Sequence, residues 1–317
     1  MIREVVARAP TRVDFGGGWT DVPPYCDREG GFVCNVAISR YAVARLSSQA
    51  TGASASVTTD APLIRAALKR SGAHGVNVSL TNDYPVGAGL GGSSAASAAL
   101  LSALATWCRS EWNRRDIAEE GRRIEVEELG VAGGRQDHYA ATHGGALALT
   151  FGSTVAVRKI PLSRKAREAL VARSVLVYTG ESRISGDTIT AVLGAYEAGD
   201  WRVVSALKRM REIAIDMATA LERGDLDALG AFLSEHWTYQ RSLHPSIPTP
   251  RIDKIVERAQ AAGALGAKAM GASGGGCVLI LARSENTDRV RDAVRSLGQI
   301  LEFGVDDDGV KIVSNQQ

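Results

Sequence analysis

The sequence predicts a two-domain α+β protein, and three observations carry that prediction. Its 317 residues exceed what one hydrophobic core usually organises. The first half is strand-rich with embedded helices. The second half turns into a long helical stretch and closes with strand, glycine-rich turn, strand and helix. A hydrophobic content of 45% supplies ordinary material for both cores. The junction is placed near residue 165, giving domains over 1–165 and 166–317.

Each element follows from its own pattern. Ile2 to Ala9, Gly31 to Ile38 and Tyr41 to Ser47 are β-branched or alternating and read as strands, as do Ser56 to Thr59 and Val76 to Leu80. A short helix over Pro62 to Arg70 separates the last two. Helices over Ser93 to Cys108 and Arg115 to Glu128 carry apolar residues at helical spacing. A short polar helix, Arg135 to Thr142, precedes strands at Ala146 to Phe151, Thr154 to Ile160 and Ser174 to Thr179. Ser185 to Arg241 is helical, with Leu226, Leu229, Phe232 and Leu233 on one face. Pro245, Pro248 and Pro250 interrupt it before a helix over Arg251 to Ala262.

Composition excludes several function classes. Net charge is +2, with 37 basic against 35 acidic residues interspersed, so no nucleic-acid or membrane footprint is present. No apolar run approaches the length of a membrane span, and Met1 to Glu4 lacks the form of a signal peptide, so a soluble, cytoplasmic protein is expected. Cys26, Cys34, Cys108 and Cys277 are scattered and read as reduced thiols. His138 and His143 stand five apart, off a common helix face, and read with the other histidines as packing or surface residues.

The chemistry is concentrated in four glycine-bearing segments. Pro85-Val-Gly-Ala-Gly-Leu-Gly-Gly-Ser-Ser-Ala95 runs directly into an alanine-rich helix. Backbone without Cβ approaches a ligand closely, and the unpaired N–H groups of a helix start favour an anion, so the segment reads as a phosphate cradle. It also satisfies G-x-G-x-x-G. A dinucleotide site would, however, need a strand directly before it and an acid ending a second strand; the preceding strand stops short, and Glu111 follows a helix. The sequence G-x-x-x-x-G-K-[ST] is absent, which disfavours an ordinary P-loop. Near the N-terminus, Arg8-Ala-Pro-Thr-Arg-Val-Asp-Phe-Gly-Gly-Gly-Trp-Thr-Asp21 sets cations and two acids around a triple glycine. Gly133-Gly-Arg-Gln-Asp137 puts a carboxylate on a first helical turn, and Gly266 to Gly276 forms a second glycine loop. Taken singly, Asp14, Asp21 and Asp137 serve equally well as caps, and Gly274 to Gly276 as a hairpin connection.

Taken together and in this order, the four segments resemble the GHMP kinases, a family that includes galactokinase, homoserine kinase and mevalonate kinase. The resemblance spans residues 8 to about 282. Within the family, Arg12-Val-Asp-Phe-Gly-Gly-Gly-Trp-Thr-Asp-Val-Pro-Pro24 and Gly134-Arg-Gln-Asp-His-Tyr-Ala-Ala141 look most like kinases of heptose phosphate and fucose. It implies a mixed-sheet N-terminal domain, a ferredoxin-like C-terminal domain, and phosphorylation of an anomeric sugar hydroxyl with ATP and Mg²⁺. A mevalonate-type kinase or decarboxylase and a non-catalytic sugar or nucleotide sensor are the alternatives.

The resemblance also implies roles. Asp137 would be the general base, and Arg12 would hold it ionised while offsetting charge on the transferred phosphoryl group. Pro85, Gly87, Gly89, Leu90, Gly91, Gly92, Ser93, Ser94 and Ala95, with Gly274 and Gly275, would bind ATP. Ser94 and Glu125 would hold Mg²⁺, with Ser93, Glu127 and Glu128 as competitors for those places. Gly92 stands where many relatives carry serine. Asp21, Thr20 and Gly18 would meet the sugar, with Trp19 and Tyr25 nearby, and Arg183 would meet a substrate phosphate or lie on the surface. Monomer and homodimer are both compatible with the sequence.

Overall fold

The computed structural model describes residues 3–48, 61–181 and 186–316. The expected strand over Ser56 to Thr59 lies outside them, and so does Arg183. Ten strands and eleven helices occur among the described residues. The strands are β1 (Glu4–Gly16), β2 (Gly31–Ser48), β3 (Val76–Asn82), β4 (Ala146–Phe151), β5 (Val155–Ile160), β6 (Ser174–Tyr178), β7 (Ala264–Ala269), β8 (Cys277–Ala282), β9 (Gln299–Ile300) and β10 (Lys311–Gln316). The helices are α1 (Tyr25–Glu29), α2 (Ala61–Ser71), α3 (Gly92–Cys108), α4 (Arg114–Arg123), α5 (Gln136–His143), α6 (Arg164–Arg173), α7 (Gly186–Glu197), α8 (Trp201–Arg223), α9 (Leu226–Ser242), α10 (Pro250–Ala261) and α11 (Thr287–Val294).

The first sheet runs β10-β1-β2-β4-β5, with β3 on β2. Every pairing in it among the described residues is antiparallel. The two segments expected over 31–38 and 41–47 are one strand, β2, and the register against β1 slips between Pro10 and Thr11 where the sequence pattern breaks. β2 pairs along one edge with β1 and divides the other between β4 and β3. The second sheet, β7-β8-β6-β9, is antiparallel and has the strand order of a ferredoxin-like βαββαβ unit. The expected 166–317 unit gives up its last strand: β10 covers the outer edge of β1, which would otherwise present unpaired backbone groups.

Helix α3 is apolar on all sides, with Ala98 to Leu101 and Ala103 to Leu104 buried, so it passes through the first core instead of lying on its surface. A second core joins the two sheets: Val13, Phe15 and Cys34 of the first meet Cys277, Leu279 and Leu281 of the second, with Ala88 and Leu90 of the glycine loop between them. The phosphate-loop candidate is therefore clamped at the seam.

Candidate active site

Arg12, buried at 3% exposure, reaches out of β1 to the start of α5. Its Nε and Nη2 donate to Asp137 Oδ1 at 2.7 and 2.6 Å, and its Nη1 donates to the Gly89 carbonyl at 2.6 Å. One guanidinium thus ties the carboxylate to the glycine loop. Burial raises the Asp137 carboxyl above its ordinary value; Arg12 opposes that rise and neighbouring Glu125 adds to it. The arginine moderates the shift, and Asp137 remains a stronger base than a solvated aspartate.

The loop itself is held by backbone. Gly91 caps α3 at φ 71°, left-handed backbone that favours glycine, and lies against the Asp137 side chain. The second glycine loop meets the first through the Cys277 N–H, which donates to the Ala88 carbonyl at 2.8 Å. Gly92 has a specific cause: a Cβ there would overlap the ring of Tyr84, whose hydroxyl donates to the Gly92 carbonyl at 2.7 Å. A serine here would have to displace the Tyr84 ring.

Two cavities open on either side of Asp137. The first, about 580 Å³, is lined by Asp14, Gly18, Trp19, Asp21 and residues 130–134, and by Gly186 to Asp187 of α7. The second, about 840 Å³, is lined by residues 84–94, by Pro62, Leu63 and Leu80, and by Ser273 and Gly275. They share Gly89, Gly91, Ser94, Glu125, Asp137 and Ala272. Ala95 and Gly274 line neither: Ala95 is fully buried in the core, and the Gly274 N–H is engaged by the Ile247 carbonyl.

At the shared wall, α4 runs on into a π-helical turn over Ile124–Glu128. Glu125 faces His138, with Oε2 at 2.9 Å from Nε2, and the same Nε2 lies 3.5 Å from Ser94 Oγ. Glu127 and Glu128 turn away and pair with Arg70, Glu128 also with Lys69. Ser94 is 4% exposed and touches both cavities, whereas Ser93 is exposed and lines only the second. Two oxygen donors at a phosphate-sized opening suit Mg²⁺, which keeps waters and takes phosphate oxygens for its remaining positions. No cluster of three or more His, Cys, Asp or Glu able to hold a metal occurs among the described residues.

In the first cavity, Asp21 is 2% exposed and accepts the Gln136 N–H at 3.0 Å. Burial raises its pKa to about 6; the Gln136 bond opposes this, while Asp137 and Asp14 add to it. Gly18 and Trp19 also line this cavity. Thr20 does not: its hydroxyl donates to the Gly17 and Phe32 carbonyls and accepts the Phe32 N–H, so it ties the loop to β2. Tyr25 packs edge-on against Tyr196, with ring centroids 5.3 Å apart.

Two site residues were invisible to spacing arguments. His138 stands next to the candidate base yet shares no metal-ligand spacing with another histidine. Lys268 is completely buried beside Asp14, in a strand whose other residues are alanine, leucine and glycine. A lysine flanked by alanines just before a glycine loop was the available signal.

The GHMP kinases N terminal domain matches residues 56–145, and the GHMP kinases C terminal domain matches residues 217–300. The chain belongs to the GHMP kinases. It is 27% identical to the D-glycero-alpha-D-manno-heptose 7-phosphate kinase of Campylobacter jejuni, over 98% of this chain and 99% of that one. It is also 27% identical to the bifunctional fucokinase/GDP-fucose pyrophosphorylase of Arabidopsis thaliana, over 96% of this chain but 32% of that protein. The crystal structure of a D-glycero-D-manno-heptose 1-phosphate kinase from Bacteriodes thetaiotaomicron superposes with a TM-score of 0.78 at 25% identity, covering 99% of this chain and all of that one. As a member of this family the chain is an ATP-dependent kinase. No helix among the described residues is long and apolar enough to cross a membrane.

Proposed function

We propose that this kinase transfers the γ-phosphoryl group of ATP to the anomeric hydroxyl of a heptose phosphate or closely related sugar. The observation that carries the reading is the shared wall: a sugar-sized and a nucleotide-sized cavity meet at Asp137, Ser94 and Glu125, so donor and acceptor held in each would face one another there. Full-length similarity to a heptose 7-phosphate kinase supports the choice of sugar.

Each residue then has a physical task. Asp137 takes the proton of the attacking hydroxyl, helped by its raised basicity. Arg12 fixes that carboxylate and offsets negative charge where the two cavities meet. The backbone of residues 87–92 and the start of α3 hold the phosphates. Ser94 and Glu125 hold Mg²⁺, which supplies charge neutralisation on the phosphates when bound. Asp21 accepts from sugar hydroxyls. The remaining catalysis is positioning, because phosphoryl transfer asks little covalent chemistry of the protein.

A substrate panel tests this. ADP release should require D-glycero-D-manno-heptose 7-phosphate, or L-fucose if the substrate carries no phosphate, and should be absent with mevalonate. Turnover of mevalonate in preference to every sugar would refute the reading.

A further inference from the structure

Asp14 is a charge in the sugar cavity that the catalytic scheme leaves without work. It follows Arg12 by two residues on β1, is 2% exposed and lines the first cavity. Lys268, brought from the second sheet by β7, donates to its Oδ2 at 3.1 Å and to its backbone carbonyl at 2.9 Å. Asp14 Oδ1 has no hydrogen-bond partner among the described residues. Buried carboxylate oxygens are seldom left without a donor, because the hydration they lose is then not replaced.

The surroundings fit a polyol. Lys268 engages one carboxylate oxygen and leaves the other. Burial raises the Asp14 carboxyl, but Lys268, Arg12 and His236 outweigh it and keep the group below its ordinary value, hence charged. Gly18, on the cavity wall, lies against the same carboxylate: a Cβ there would overlap Asp14 Oδ2, the oxygen that Lys268 engages. Trp19, on the same wall, offers an indole N–H that also has no partner among the described residues. An acceptor and a donor without partners, on two residues that line one cavity, match the mixed demands of a sugar hydroxyl array.

We propose that Asp14 is a sugar-binding residue, its Oδ1 accepting a hydrogen bond from a substrate hydroxyl other than the one Asp137 deprotonates, with Lys268 as the positioning residue behind it. The inference rests on the sugar-kinase reading for its ligand. It adds a second acceptor beside Asp21, so the enzyme distinguishes sugars by two separate hydroxyl positions.

The test uses the full-length chain and D-glycero-D-manno-heptose 7-phosphate, with L-fucose as the second acceptor. Because Asp14→Ala alone would leave Lys268 buried without its carboxylate, and Asp14→Asn would keep an amide oxygen able to accept the hydroxyl, the decisive variant is Asp14→Ala with Lys268→Met, checked for folding by circular dichroism. The sugar KM should rise about tenfold or more, the range expected for a lost hydrogen bond to a charged group, with the ATP KM unchanged. Monodeoxy analogues of the accepted sugar add the diagnostic readout. One of them should lose affinity against the wild type and lose no more against the variant. A folded variant whose sugar KM stays within about threefold of wild type, a change too small for such a bond, would leave Asp14 as Lys268's structural partner and overturn the proposal. Failure of the wild type to phosphorylate either sugar would instead strike the parent reading, and is seen before any variant is compared.

Discussion

Asp14, Asp21 and Asp137 share one cavity with Glu125 and Asp187, and their environments set these three to different tasks. Asp137 sits above its ordinary pKa, so kcat should fall on acidification at a pH higher than a solvated aspartate would give, a profile measurable by ADP release. Asp21 is raised from 3.8 to about 6. The folded chain therefore retains a proton that the unfolded chain has released. The associated stability is complete below about pH 4 and is lost as pH rises through about 6. Asp21→Asn should accordingly stabilise the protein at pH 8 by up to about 3 kcal/mol in urea unfolding, while raising the sugar KM. A destabilised Asp21→Asn would contradict the burial argument. His138→Gln should keep Mn²⁺ affinity near wild type, since an amide can still serve Glu125, whereas His138→Leu should weaken it in a direct binding titration.

At the scale of elements, the loop and helices that carry the site were legible because their signals are local. The glycine track, the apolar run of α3 and the acid on the first turn of α5 need no tertiary context. What escaped depends on partners distant in sequence. Helix α6 went unread because only Leu170 of its ten residues is buried, although Ser163 caps it by accepting the Ala166 N–H. β10 is mostly polar and exposed, so it shows no apolar alternation, and pairing with β1 alone defines it. The π-helical turn that aims Glu125 inward and Glu127 outward has no sequence signature. The Tyr84–Gly92 contact gives an element-level prediction. Gly92→Ala should cost about 1–3 kcal/mol through overlap with the ring and raise the ATP KM, and Tyr84→Ala in the same chain should recover part of the stability.

Over the whole molecule, the second core and the Lys268–Asp14 pair bind the ferredoxin-like unit to the first sheet, so the active site depends on both. The sequence pattern pointed to two domains and to Asp137 as the candidate base, but this joint became visible only when β7 met β1. Removing residues 311–317 should expose the edge of β1 and produce concentration-dependent aggregation, measurable by light scattering, without removing any cavity residue. The central claim is that phosphoryl transfer occurs where the two cavities share Asp137, and phosphorus NMR of the product reports on it directly. With ATP and D-glycero-D-manno-heptose 7-phosphate, the wild type should yield a phosphate coupled to the anomeric proton. Asp137→Asn should bind a fluorescent ATP analogue normally yet form that product at least about a hundredfold more slowly, whereas an anomeric phosphate formed at near-normal rate by this variant would contradict the account.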